Sequence, residues 1–152
     1  ETDGFGNYLL MDDANVPSLL SAPYLGYCRA NDPVYAHTRR FLLSRSNPYF
    51  YEGICAAGIG SRHTPERFIW PISLCIQGLT AQTEEERDSM IDLLSRTDGG
   101  TGFMHESFHA DRPEEYTRPW FAWANAMFAE LVLAGRFPEV GEEARLQDEQ
   151  IA

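Results

Sequence analysis

The chain has 152 residues, enough for one domain with a sizeable core. Its formal charge is −11 and all 12 of its cations are Arg, an acidic balance that argues against a nucleic-acid partner. No apolar run reaches the length of a membrane helix, and 3 cysteines without CxxC spacing suit buried free thiols better than a disulfide framework or a zinc site.

The first dozen residues open on the turn signal Gly4-Phe5-Gly6-Asn7 and continue in an apolar run too short for a helix. Asp13 or Asn15 can cap a helix predicted over about 17–29, with Pro17 in its first turn and Leu19, Leu20, Tyr24 and Tyr27 on one face. Pro23 implies a kink or an early break in it. Asn31-Asp32-Pro33 starts a second helix, near 33–45, which Ser46-Asn47-Pro48 ends. The glycine-rich connection 49–64 is long for an ordered loop, and such loops are usually functional. Its Gly58-Ile59-Gly60 fits no nucleotide-binding pattern.

Thr64-Pro65-Glu66 and Trp70-Pro71 bracket the next helical start, with Ile72, Cys75, Ile76 and Leu79 as its apolar face. Thr83-Glu84-Glu85-Glu86 reads as a capping box for a helix to about Ser95. After the loop 97–119, Pro119 opens a last helix that Gly135 is expected to stop. About five helices of ordinary length result, with no convincing sheet, so the predicted class is all-α. The acid-rich segment after Phe137 reads as a polar tail over 137–152.

Chemistry concentrates in the loops. His105-Glu106-Ser107-Phe108-His109 matches HExxH, which binds zinc when both imidazoles sit on one helix face. Gly99, Gly100 and Gly102 before it and Pro113 after it leave too little helix for that. A zinc hydrolase is therefore the lesser reading, and no metal is expected there. Asp12, Asp13 and Glu106 occupy loop or cap positions, with Tyr49, Tyr51, Trp70, Trp120 and Trp123 near them in sequence. Paired carboxylates flanking a sugar, with aromatics against its faces, are the machinery of glycoside hydrolysis. Capping explains the two aspartates singly and core packing explains the tryptophans singly. Neither explains why acids, His and Trp recur before successive helices.

The segments DGFGNYLLMDDANVPSLLSAPYLGY, GIGSRHTPERFIWPISL and TGFMHESFHADRPEEYTRPWFAWANAMFAEL resemble glycoside hydrolase family 125, the metal-independent exo-α-1,6-mannosidases. The resemblance spans nearly all of residues 3–135. It implies an (α/α)6 barrel, inverting removal of terminal α-1,6-linked mannose, and no metal or other cofactor. Glu106 of the MHESF segment matches the family's general base. The general acid is implied to be an Asp upstream of Glu1, so residues 1–136 would be the C-terminal part of the catalytic domain. The implied partners are a mannose-containing glycan and the remainder of that domain, and the isolated chain should be inactive and expose apolar surface. From loop position and motif membership, Asp12, Asp13, Asn15, His63 and Thr64 are expected to meet sugar hydroxyls. Trp70 and Trp120 are expected to wall the pocket, with His105 beside the base. The alternative is a non-catalytic helical glycan-binding or scaffold module that lacks the acid.

Overall fold

The computed structural model describes residues 3–136, and the predicted acidic tail lies outside them. The element order is α1 (Pro33–Leu42), β1 (Phe50–Glu52), β2 (Ala57–Ile59), β3 (Phe68–Ile69), α2 (Pro71–Leu79), α3 (Glu84–Arg96), β4 (Ser107–His109), β5 (Tyr116–Thr117) and α4 (Ala122–Arg136). The all-α expectation, and with it the barrel of about five helices, is corrected. Among the described residues there are four helices and two antiparallel sheets, one of two strands and one of three. The class is mixed α and β.

Three helices form where their ends are specified. Asp32 caps α1 by accepting from the N–H groups of Val34 and Tyr35, with Pro33 next to it. Thr83 caps α3 by accepting from the Glu86 N–H at 3.2 Å, and three glutamates occupy the first turn. α2 starts at Trp70-Pro71 without a side-chain cap and is buried almost all round, as a central core helix is. α3 and α4 pack on it. A Cβ on Gly78 would meet Leu131 Cδ1 at 2.8 Å, so α2 and α4 approach closely there.

The helix predicted over 17–29 does not form. Pro23 supplies no N–H, and the side chains of Ser18 and Ser21 take local backbone bonds instead. Ser18 N–H donates to Ser21 Oγ at 2.8 Å, and Ser21 Oγ donates to the Ser18 carbonyl at 2.9 Å. The segment becomes a run of turns ending at Gly26, whose φ of 76° is on the left-handed side. α4 begins at Ala122 rather than Pro119 and runs through Gly135 to Arg136, so Gly135 is not its stop.

The two sheets meet edge to edge. β1 pairs with β2 (Tyr51 opposite Gly58), and β4 lies between β3 and β5. A bridge from Gly60 to Ile69 joins the sheets. The β1–β2 tip is pinned to the end of β4, since Cys55 and Ala56 both donate to the Ala110 carbonyl at 3.1 Å. Ile59, Ile69, Trp70, Leu74, Phe108 and Leu131 are among the buried side chains of the core between these sheets and the helices. Cys75 lies in that core, where burial pushes its thiol well above the usual range, and all three cysteines are free. No described helix is long and apolar enough to cross a membrane.

Gly60 is where the fold tolerates no side chain. A Cβ there would collide with the Phe68 carbonyl oxygen and stand 2.6 Å from the Tyr51 ring. Gly60→Ala in the intact natural protein should therefore lower unfolding stability by about 1–3 kcal/mol, as overpacking does. Denaturant titration checks this; an unchanged midpoint would mean that the sheets do not meet so closely.

Candidate active site

The stretch before Glu106 is fixed by a glycine turn. Asp98 accepts from Gly100 and Gly102 N–H, both at 2.9 Å, while Gly99, Gly100 and Gly102 all have positive φ. The chain then reaches Met104, whose backbone is held by Asn125 of α4. Asn125 Oδ1 accepts from Met104 N–H at 3.1 Å, and its Nδ2 donates to the carbonyls of Met104 and Phe121, each at 2.8 Å. Phe121 N–H also donates to the Met104 carbonyl at 3.1 Å.

His105 is 1% exposed and lies flat on Tyr116, with ring centroids 3.7 Å apart. Its Nδ1 is 2.8 Å from the Pro119 carbonyl and its Nε2 is 2.9 Å from the Asp98 carbonyl. Both ring nitrogens are thus engaged with backbone. Glu106 N–H donates to the Thr117 carbonyl at 3.2 Å, and the Ser107 and Thr117 hydroxyls are 2.7 Å apart. The segment 104–107 is tied down on both sides of Glu106.

The Glu106 carboxylate itself is oriented by charge. Its Oε1 lies 3.3 Å from Arg118 Nε, and its side chain is 14% exposed against 65% for Arg118. The Arg118 guanidinium also lies over the Phe121 ring, 5.5 Å from its centroid. Phe121 makes an edge contact with Trp70 at 6.4 Å. Trp70 Nε1 donates to Thr64 Oγ1 at 2.9 Å, and Thr64 turns back on the Ser61 carbonyl.

Ser61 continues this chain of contacts into the N-terminal loop. Its hydroxyl donates to Asp13 Oδ2 at 2.7 Å, and Asn15 Nδ2 donates to the same oxygen at 2.9 Å. Ala14 N–H donates to the Gly60 carbonyl at 3.0 Å. Asp12 sits next to them, its Oδ2 accepting from Leu19 N–H at 2.7 Å. Burial raises the Asp12 carboxyl above the usual range; the Leu19 bond opposes that and the Asp13 charge adds to it.

The structure thus connects Asp13, Asn15, Thr64, Trp70 and Glu106 through a continuous run of contacts. It separates the two predicted aromatic walls: Trp70 is 4% exposed, within the core, and Trp120 is 60% exposed. His63 is exposed beside Ser61, to whose hydroxyl its N–H donates. The HExxH residues do not lie on a helix, because His109 ends strand β4. His109 packs edge-on against Phe68, and its Nδ1 accepts from Asp111 N–H. No group of three or more His, Cys, Asp or Glu gathers as metal ligands among the described residues.

Sequence reasoning missed Ser61, Tyr116 and Asn125. Asn125 carried a signal, being a lone amide in the apolar run Ala122–Met127 and four residues after Phe121. Ser61 and Tyr116 carried none, since their roles arise only from tertiary contact.

Comparison with known proteins gives this geometry a family. The family model described as metal-independent alpha-mannosidase (GH125) matches residues 1–133. The meiotically up-regulated gene 157 protein of Schizosaccharomyces pombe is 50% identical over 134 residues, covering 88% of this chain and 26% of that protein. A Streptococcus pneumoniae metal-independent alpha-mannosidase, solved as a non-productive complex with alpha-1,6-mannobiose, is 60% identical and superposes with a TM-score of 0.85. That match covers 89% of this chain and 32% of the bacterial one, so the chain spans about a quarter to a third of these relatives. The chain belongs to glycoside hydrolase family 125, the metal-independent α-mannosidases.

Proposed function

We propose that this chain carries the general base of an exo-acting, inverting α-1,6-mannosidase, and that Glu106 is that base. The observation that carries the reading is the placement of Glu106. It is a carboxylate on a backbone segment tied by Asn125, His105 and Thr117, aimed by Arg118, and linked through packed residues to the Asp13 loop. The bacterial relative's complex with alpha-1,6-mannobiose supports the substrate class.

In an inverting hydrolysis a water attacks the anomeric carbon as the bond to the leaving oxygen breaks. Glu106 takes the water's proton. A carboxylic acid on the other side of the sugar, supplied from outside the residues described, protonates the leaving oxygen. The two carboxyls of such a pair stand about 6.5–9.5 Å apart to admit the water. Asp12, Asp13, Asn15, His63 and Thr64 meet sugar hydroxyls, and Trp120 offers an exposed ring for a sugar face. Trp70 acts from behind by holding Thr64, and His105 by holding the segment that bears Glu106.

The other partner is the remainder of the same catalytic domain. Phe5, Tyr8, Leu10 and Tyr27 are each exposed in the N-terminal stretch, and this is the apolar surface that the remainder of the domain would cover.

Glu106→Gln in the intact natural protein keeps size and hydrogen bonding but removes the base. Its kcat on α-1,6-mannobiose should fall by about 10²–10⁴-fold with KM nearly unchanged. Near-normal turnover would remove the assignment, and an intact protein with no turnover that still binds mannoside would favour the non-catalytic glycan-binding reading. Inversion has its own readout. Proton NMR of the reaction should show β-mannose as the first product; α-mannose first would contradict it.

A further inference from the structure

Arg118 has a backbone that its residue type does not favour. Its φ is 46°, in the left-handed region, where only one other described non-glycine residue, Arg67, is found. Pro119 follows it, and a residue before proline favours extended conformations. A bulky residue in this conformation persists only where its surroundings impose it. Here they do so from both sides. The Thr117 carbonyl accepts from Glu106 N–H at 3.2 Å, and the Pro119 carbonyl lies 2.8 Å from His105 Nδ1. Both neighbours of Arg118 are thus tied, one to the candidate base itself and the other to the residue before it. The backbone turns sharply between these ties, and the guanidinium comes back over Phe121 with Nε against Glu106 Oε1.

Neither contact requires Arg118 for stability. Its side chain is 65% exposed, and an exposed ion pair contributes little to folding. A glycine at 118 would adopt the same φ without strain. Arg67 shares the left-handed φ but differs in what it holds. Its carbonyl accepts from Ala110 N–H at 2.9 Å beside the β3–β4 pairing, and its guanidinium pairs with Asp111, which itself anchors Ile54 N–H. Arg67 belongs to the architecture of the sheets, whereas Arg118 is bent toward the carboxylate proposed to do chemistry.

We infer that Arg118 is a positioning residue for Glu106, held in a strained backbone so that its guanidinium fixes the carboxylate in the orientation that meets the attacking water. The inference rests on the Glu106 reading above. Arg118 touches the base and acts on the reaction through it. A lysine keeps the charge but has neither the side-on Nε nor a planar group to lie on Phe121.

The test compares Arg118→Gly and Arg118→Lys with the natural protein at full length, using α-1,6-mannobiose. Arg118→Gly should lower kcat about 10²-fold, as misplacement of a catalytic group does, with KM within about twofold. Its unfolding midpoint should be unchanged or higher, since the strain is relieved. Added guanidinium ion at sub-denaturing concentration should restore part of the lost turnover. Arg118→Lys should recover less than half of the natural rate. Combining Arg118→Gly with Glu106→Gln should cost nothing beyond Glu106→Gln alone, because both act through one group.

Three results would overturn the inference. One is an Arg118→Gly enzyme with natural turnover. Another is a loss of turnover matched by a lowered unfolding midpoint, which makes the role structural. The third is a raised KM at unchanged kcat, which makes Arg118 a substrate contact alone. Failure of the Glu106 reading looks different, since Glu106→Gln itself would then stay active.

Discussion

Asn125 makes the contact on which the site's geometry depends. One side chain in α4 accepts from Met104 N–H and donates to the Met104 carbonyl, so the peptide groups on either side of that residue are both fixed to a helix. The same amide donates to the Phe121 carbonyl, one turn before it. A helix is stiff, and α4 is itself packed on the buried α2. The segment that bears Glu106 inherits that stiffness although it is neither helix nor strand at Glu106. This half-buried amide matters because its loss leaves the backbone groups of the buried Met104 unpaired, at about 1–3 kcal/mol each.

The rest of the site is built outward from that anchor. His105 ties the glycine turn at Asp98 to Pro119 and stacks on Tyr116 of β5. β4 then runs between β3 and β5, and the Gly60–Ile69 bridge passes the connection to the first sheet. Gly60 also accepts from Ala14, which places the Asp13–Asn15 loop against Ser61. The small sheets therefore register three loops against one another while the helices supply the core. A mixed architecture with strands of two and three residues suffices for that purpose.

Much of the helical part was legible in the sequence. Asp32-Pro33 and Thr83 with its three glutamates are cap chemistry, and Asp32 and Thr83 do cap their helices, although Glu86 gives its carboxylate to Arg39 and Gln77 instead of closing the box. Pro23 argued against a full helix over 17–29, and the serines on either side of Leu19 and Leu20 completed that outcome through local bonds. The strands were not legible, because two or three residues cannot display a period-two pattern. Phe68–Ile69 and Tyr116–Thr117 are strands only because β4 lies between them. For the site, the motif containing Glu106 and the loops with Asp13 and Thr64 were visible as polar groups in glycine- and proline-rich stretches. Burial was not visible: Trp70 and His105 were read as pocket residues, and the fold leaves them only 4% and 1% exposed. The HExxH spacing was a coincidence of strand and loop that only the backbone path resolves.

On the proposed role of Glu106, its carboxylate is effective because Asn125 holds residues 104–107 to α4. The most direct measurement is the turnover of Asn125→Ala in the intact natural protein on α-1,6-mannobiose, below its unfolding transition. Loss of the amide should lower stability by about 1–3 kcal/mol. In the molecules that remain folded, kcat should drop by about 10²-fold as the carboxylate loses its position, with KM little changed. A folded Asn125→Ala enzyme that turns over at the natural rate would contradict the claim.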